Sequence, residues 1–244
     1  MESDFGKVYQ SEVRVFSVKE GTMETVEVRN GEVKAAMPEI DGIPGHEGLR
    51  RAIEVALVGG HPMVVIGLDT SSASSLVRGV LDAVRDYGLP FHALATTPCP
   101  CGNYGSTKQE CNCPSKAIVK HMAKVTKRRN EFDIFIESVG PRVKDMGVKP
   151  EPFAAVMARV VEARKRPEPK VDTDKSEMFK MYCREYGCDA VVVAKVKAVA
   201  RSIARLEGCD EAAEHHITEA IQYSFWVCGV FRGFASAETV EVKG

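Results

Sequence analysis

At 244 residues, with 44% hydrophobic and 27% charged residues, the chain has an ordinary globular composition and enough length for one large domain or two modest ones. A formal charge of −1 excludes a global electrostatic pull toward DNA or anionic membranes, so any nucleic-acid contact has to come from a local basic face. No apolar run reaches the length of a membrane span, and the opening Met1-Glu2-Ser3-Asp4 is acidic where a signal peptide is basic. Eight cysteines in such a chain point to a reducing cytoplasm and to metal ligation ahead of disulfides.

Residues 1–38 read as a small β segment. Val13, Val15 and Val18 lead to a turn at Glu20-Gly21-Thr22; Val26 and Val28 then alternate with Glu27 and Arg29, and Asn30-Gly31 is a tight-turn signal. So small a sheet is not stable alone and has to pack on the next part of the chain. Residues 39–149 read as an α/β core. Leu49, Ala52, Ile53 and Ala56 recur at helical spacing, Gly59-Gly60 ends that helix, and the apolar run Met63–Gly67 reads as a buried parallel strand. A serine-rich strand-to-helix turn follows, with a helix starting near Ser72 and hydroxyls placed to cap it.

Cys99, Cys101, Cys111 and Cys113 follow as C-x-C-x9-C-x-C, separated by the turn-rich Gly102-Asn103-Tyr104-Gly105-Ser106-Thr107-Lys108. Four thiolates brought together by such a loop match the donor set of a closed, tetrahedral zinc site, although the usual spacing within a pair is two to four residues and here it is one. Two alternatives stand behind zinc: four reduced, unliganded thiols, and a disulfide pair. Residues 114–130 then read as a basic helix. Lys116, Lys120 and Lys124 share one face, Lys127, Arg128 and Arg129 extend the charge, and Ile118, Met122 and Val125 form the apolar stripe. This face suits either nucleic-acid contact or plain solvation. His121 reads as an ordinary helix-face histidine, with a spare metal ligand as the alternative.

Residues 150–225 read as a helical bundle. Pro150-Glu151-Pro152 starts a helix whose buried stripe is Phe153, Val156, Met157, Val160 and Val161. Residues 165–172 form a charged, proline-broken linker. A helix over 189–206 buries Val193, Val196, Val199, Ile203 and Leu206 and turns Lys197, Arg201 and Arg205 outward, with Lys197 and Arg205 expected in solvent. Cys183, Cys188, Cys209 and Cys228 read as buried thiols, and His215 and His216 have no evident partner. The tail, 226–244, reads as an edge strand.

Pro98-Cys99-Pro100-Cys101-Gly102, then Cys111-x-Cys113 and a helix, is similar to the four-cysteine segment of the ComM/YifB group of magnesium-chelatase-like AAA+ proteins. Those are hexameric ATPases implicated in DNA branch migration during natural transformation. Gly59-Gly60-His61 before an apolar strand resembles the lead-in to the family's phosphate-binding loop. Val156-x-x-Arg159-Val160, Ala200-Arg201-Ser202-Ile203-Ala204 and His216-x-x-Glu219-Ala220-Ile221 resemble its C-terminal bundle. The fold this implies is a reduced AAA+ (P-loop-like) α/β core with a four-cysteine zinc loop, a C-terminal helical bundle and a small N-terminal β segment.

The family's working parts are replaced. Its loop reads Gly-Pro-Pro-Gly-Ser-Gly-Lys-Thr, and this chain has Gly67-Leu68-Asp69-Thr70-Ser71-Ser72-Ala73-Ser74. Ala73 stands where the phosphate-binding lysine belongs and Asp69 brings a negative charge, so Gly67, Ser71 and Ser74 are at most a relict phosphate loop. The strand ending in Asp-Glu is missing; Thr97, Glu131 and Val191 stand where the sensor asparagine, the finger arginine and the sensor arginine align. Without those parts ATP and magnesium are not expected as cofactors, whereas zinc is. The resemblance thus implies a non-catalytic, zinc-stapled binding module. Its expected partners are nucleic acid, through Lys116, Lys120, Lys124, Lys127, Arg128 and Arg129, or an AAA+ relative or second copy, and no membrane. The alternative is a divergent ATP-binding ATPase or branch-migration helicase subunit.

Overall fold

The structure, a computed structural model, describes residues 14–19, 22–27, 41, 45–67, 70–85, 87–106, 109–138, 148, 150–225 and 227–228. The expected edge strand in the tail lies outside the described residues. So do residues 28–38 of the N-terminal segment and positions 68 and 69 of the relict loop.

In the N-terminal segment β1 (Arg14–Lys19) pairs antiparallel with β2 (Thr22–Glu27), with Lys19 opposite Thr22. The three other strands among the described residues form a separate parallel sheet. Its middle strand is β3 (Met63–Gly67), with β4 (Ala93–Thr96) on one side and β5 (Ile134–Ser138) on the other. Every residue of β3 is buried, as its unbroken apolar run requires of a strand covered on both faces. Alternation divides its side chains. Met63 and Val65 join the larger core cluster, while Val64 and Ile66 face a second one with Leu94 and Phe135.

Helix α1 (Glu47–Gly59) enters from Gly45 and His46, both with left-handed backbone, His46 at φ 63°. Its stretch from Ala52 to Val58 is wholly buried, Glu54 included, and Glu54 is neutralised by Arg159 at 2.8 Å. Gly60, at φ 69°, ends the helix by donating its N–H to the Ala56 carbonyl. Helix α2 (Thr70–Arg85) follows β3 and starts two residues before the expected Ser72. Leu76, Val77, Val80, Leu81 and Val84 carry it onto the larger core. Helix α3 (Ser115–Thr126) covers the opposite face of the sheet through Met122 and Val125, so helices lie on both sides.

Among the described residues four more helices follow: α4 (Phe153–Lys165), α5 (Glu177–Tyr186), α6 (Ala190–Glu207) and α7 (Glu214–Gln222). They share the larger core with the sheet. Val156, Met157 and Val160 of α4, Val196, Val199 and Ile203 of α6, and Ile217 and Ile221 of α7 pack in one cluster with α1. Asp189 caps α6 by accepting the Val192 N–H at 2.8 Å, and Ser176 caps α5 by accepting that of Phe179.

Arginines tie the connections down. Arg164 donates to the Leu57 and Val58 carbonyls near the end of α1, and Arg166 to those of Arg205 and Leu206 near the end of α6. Arg205 returns the contact, its Nε lying 2.9 Å from the Arg166 carbonyl oxygen. Arg205 is therefore not the solvated cation its helical position suggests. The carbonyls of Arg164 and Arg166, at and just past the end of α4, take its guanidinium. His215 and His216 likewise have a partner, since both lie within hydrogen-bond reach of Glu207 Oε2. Of the four unpaired-spacing cysteines only Cys228 is buried; Cys183, Cys188 and Cys209 are partly exposed. No helix among the described residues is long and apolar enough to cross a membrane.

Candidate metal centre and basic helix

The four cysteines sit where β4 leaves the sheet and α3 returns to it. β4 ends at Thr96, and Cys99 is buried three residues on. A tight turn brings the chain back: Gly102, at φ 82°, donates its N–H to the Cys99 carbonyl at 3.0 Å. Gly105 is also left-handed, and Ser106 donates to the Asn103 carbonyl at 2.9 Å. Cys111 and Cys113 follow, and Pro114 at φ −58° opens α3. Two consecutive turns in a polar stretch thus fold C-x-C onto C-x-C.

The sulfurs converge. Cys99 Sγ lies 3.4 Å from Cys101 Sγ and 3.7 Å from Cys111 Sγ, and Cys101 and Cys111 are 3.6 Å apart. All four Sγ atoms, that of Cys113 included, lie within 4.8 Å of one another. A tetrahedral ion with zinc–sulfur bonds of about 2.3 Å has sulfur–sulfur edges of about 3.8 Å. The donor set and spacing therefore fit a metal ion of that size and thiolate preference. The Tyr104 N–H points at Cys99 Sγ at 3.3 Å, the kind of outer hydrogen bond that supports a thiolate ligand.

The thiols differ in acidity. The Asn103 backbone N–H, with Cys113 and Cys99, brings Cys101 down to about 7, in the thiolate range at neutral pH. For Cys111 the Cys113 backbone N–H pulls downward. Partial desolvation and the neighbouring Cys101 and Cys99 sulfurs outweigh it and push the thiol up to about 12. One sulfur of the group thus ionises first and discourages the next, a repulsion that a divalent cation would remove.

His121 is not among the metal-ready donors. Its Nε2 donates to the Thr97 carbonyl at 3.0 Å and lies 3.1 Å from the Thr97 hydroxyl, pinning α3 to the end of β4. Glu207, His215 and His216 form another close group of donor atoms. That group does not suit a cation. His216 is fully buried and its Nδ1 accepts the Ala213 N–H at 2.8 Å, which leaves the proton on Nε2, directed at Glu207 Oε2 at 2.9 Å. Both ring nitrogens are already engaged.

The basic residues of α3 and of the stretch just after it divide into two kinds. Lys116, Lys120 and Lys127 are exposed and Lys124 is half-buried. Arg128 is held by Glu131, with Nη2 2.6 Å from Oε2, and Arg129 donates to the Thr126 carbonyl while lying over the Phe225 ring. Of the six cations, Lys116, Lys120 and Lys127 are thus exposed and make no hydrogen bond or ion pair among the described residues; Lys116 lies at the start of α3 beside the cysteine turn and Lys127 at its far end. Gly67 is buried at the end of β3, and Ser71 and Ser74 fall in the first turns of α2, where the backbone alone is described.

A buried polar seam joins the sheet to the bundle, and sequence reasoning did not find it. His61, just ahead of β3, has Nδ1 3.0 Å from Asp133 Oδ2 and Nε2 2.8 Å from Ser202 Oγ on α6. Beside it Lys195 donates to the carbonyls of Arg129, Asn130 and Phe132. The nearest sequence signal is the resemblance itself, since Gly59-Gly60-His61 and Ala200-Arg201-Ser202 both carry it and meet in the fold.

No curated protein matches the chain. Residues 86–145 match the family model described as magnesium chelatase, subunit ChlI. That stretch runs from the approach to β4, through the cysteine turn and α3, to just beyond β5. Over this segment the chain is similar to the magnesium chelatase ChlI family.

Proposed function

We propose that the protein is a non-catalytic, zinc-stapled binding module on a shortened AAA+ scaffold of the ComM kind. Its outer α3 face engages nucleic acid, and the scaffold docks on a second copy or on an active AAA+ relative. The observation that carries this reading is the convergence of four Sγ atoms within 4.8 Å at the root of the basic helix. A metal ion there would hold α3 and the turn as one rigid unit, presenting Lys116, Lys120 and Lys127 from a fixed base. The resident ion would supply structure, since four thiolates leave no open coordination position for chemistry.

The non-catalytic part of the reading rests on charge. Ala73 offers nothing to a β/γ-phosphate, and Glu131 is an anion, paired with Arg128, where the family alignment has its finger arginine. Calorimetric titration of the zinc-loaded protein with ATP and magnesium is the test. No binding tighter than about 100 μM is expected; that affinity corresponds to about 5 kcal/mol and would need a working phosphate cradle.

One observation favours the alternative, a divergent ATP-binding ATPase or branch-migration subunit. β3 has β4 on one side and β5 on the other, so the chain reverses its winding there, and α2 begins just beyond the carboxyl end of β3. In open α/β sheets that crevice is where anionic ligands bind. ATP turnover abolished by Ser74→Ala would establish this alternative over the first reading.

A further inference from the structure

Helix α5 ends on two cysteines that its own geometry brings together. Gly187, at φ 63°, donates its N–H to the Cys183 carbonyl at 3.0 Å, which closes the last turn and folds the chain back. The residue just past such a glycine commonly meets the one in the final turn through an apolar contact. Here those two positions are Cys188 and Cys183, and their thiols lie within hydrogen-bond reach of each other.

Both thiols are placed to react. Each packs on the edge of the larger core while staying partly exposed, so a small molecule in solution can reach them. They are not equivalent. Burial, with the Cys183 sulfur beside it, pushes the Cys188 thiol up to about 12 and keeps it protonated at neutral pH. Attack on an external partner therefore falls to Cys183. Cys188 stands next to it as the thiol that completes the exchange. The pair is separate from the cysteine turn, which lies between β4 and α3.

We propose that Cys183 and Cys188 form a reversible thiol–disulfide site whose co-reactant is a small disulfide of the oxidised-glutathione kind. The Cys183 thiolate attacks one sulfur of that disulfide. The external S–S bond breaks, a bond to Cys183 forms, and one small thiolate leaves. Cys183 then carries no charge, so its share of the upward push on Cys188 is gone. Cys188 gives its proton to water and attacks the Cys183 sulfur, which forms the Cys183–Cys188 bond and expels the second small thiolate. The two thiolates take up the two protons released. Two protein thiols are thereby oxidised and one small disulfide is reduced.

The new bond ties the end of α5 to the residue just ahead of Asp189, the cap of α6, and so staples the connection between the two helices. In reducing surroundings the pair rests as two thiols, and it closes when small disulfides accumulate.

The test is peptide mapping of the full chain after incubation with oxidised glutathione, with free thiols alkylated before digestion. Tryptic fragments 181–184 and 185–195 should appear joined, and dithiothreitol should separate them. Cys188→Ser should stop at one glutathione on Cys183. Cys183→Ser should take up glutathione at Cys188 about ten-fold or more slowly than that. The mapping of the unaltered chain needs neither variant. Absence of the joined fragments, joining of either one chiefly to a fragment that carries another cysteine, or a Cys188 as reactive as Cys183 would each overturn the proposal.

Discussion

Ser202 Oγ on α6 lies 2.8 Å from His61 Nε2, and Asp133 Oδ2 holds the other ring nitrogen at 3.0 Å. The order serine, histidine, aspartate has the hydrogen-bonding pattern of a hydrolytic triad, but the setting differs. Ser202 is 5% exposed, lies in the middle of a helix, and also reaches the Ala198 carbonyl at 3.3 Å. A nucleophile needs access to substrate and an oxyanion site, and this hydroxyl has neither. The relay is a polar weld between the sheet and the bundle.

That weld fixes Gly59. A Cβ there would fall 2.0 Å from His61 Nε2 and 2.3 Å from Ser202 Oγ, so Gly59→Ala has to displace the imidazole and break both bonds. A loss of about 1–3 kcal/mol is expected from urea unfolding of Gly59→Ala, and about 1–2 kcal/mol from Ser202→Ala. The double variant should lose much less than the sum, because the shared bond is already gone. Full additivity would show that the two positions act separately.

Metal content gives a second expectation. Protein purified without chelator should carry one zinc per chain. Removing it with a strong chelator should lower the melting temperature and abolish the protection of α3 amides from hydrogen exchange. Cys99→Ser should be the most damaging single change, since Cys99 is 0% exposed and accepts the Tyr104 N–H, whereas Cys101 is exposed. A zinc-free protein with the same melting curve would remove the clasp from the account.

The open lysines can be separated from the engaged arginines. If α3 contacts nucleic acid, Lys116→Ala, Lys120→Ala and Lys127→Ala should each weaken DNA binding. Each should also reduce the slope of log affinity against log salt by about 0.9 per lost phosphate contact on duplex DNA. Arg128→Ala should change that slope little, because Glu131 already neutralises its charge. Equal effects from all four would mean that the ion pair opens on binding.

His121 carries a pH expectation. Burial lowers its pKa, against the raising pull of the Thr97 carbonyl and aided by Lys124. The unfolded chain therefore takes up a proton more readily than the folded one. This contribution to stability is complete above about pH 6.5, the ordinary histidine value, and is lost as pH falls through the lower folded value. His121→Gln should flatten that fall in denaturant melts between pH 7 and pH 5.

Much of the scaffold was legible in the sequence because it depends on local periodicity. The spacing of Leu49, Ala52, Ile53 and Ala56, the run Met63–Gly67 and the stripe Ile118, Met122 and Val125 all ended up where their pattern put them. The cysteine turn was legible too, since donors so near in sequence have few ways to avoid meeting. Long-range polar partners were not. Arg205 shows a basic face on its own helix, and only the path of residues 164–166 beneath it turns the guanidinium into a carbonyl cap. His216 and Glu207 sit on different helices, and nothing in either neighbourhood announces the other.

Lys195 has a mechanical consequence. Its ammonium holds three carbonyl partners beside β5 while its own backbone belongs to α6, and the relay through Ser202 grips the same helix two turns on. A helix clamped at two points to the strand layer has no pivot about which to swing. The chain from α1 to α7 should therefore melt in a single step, with calorimetric and van't Hoff enthalpies in agreement, and a fragment cut off before α4 should leave the inner side of α1 bare and insoluble.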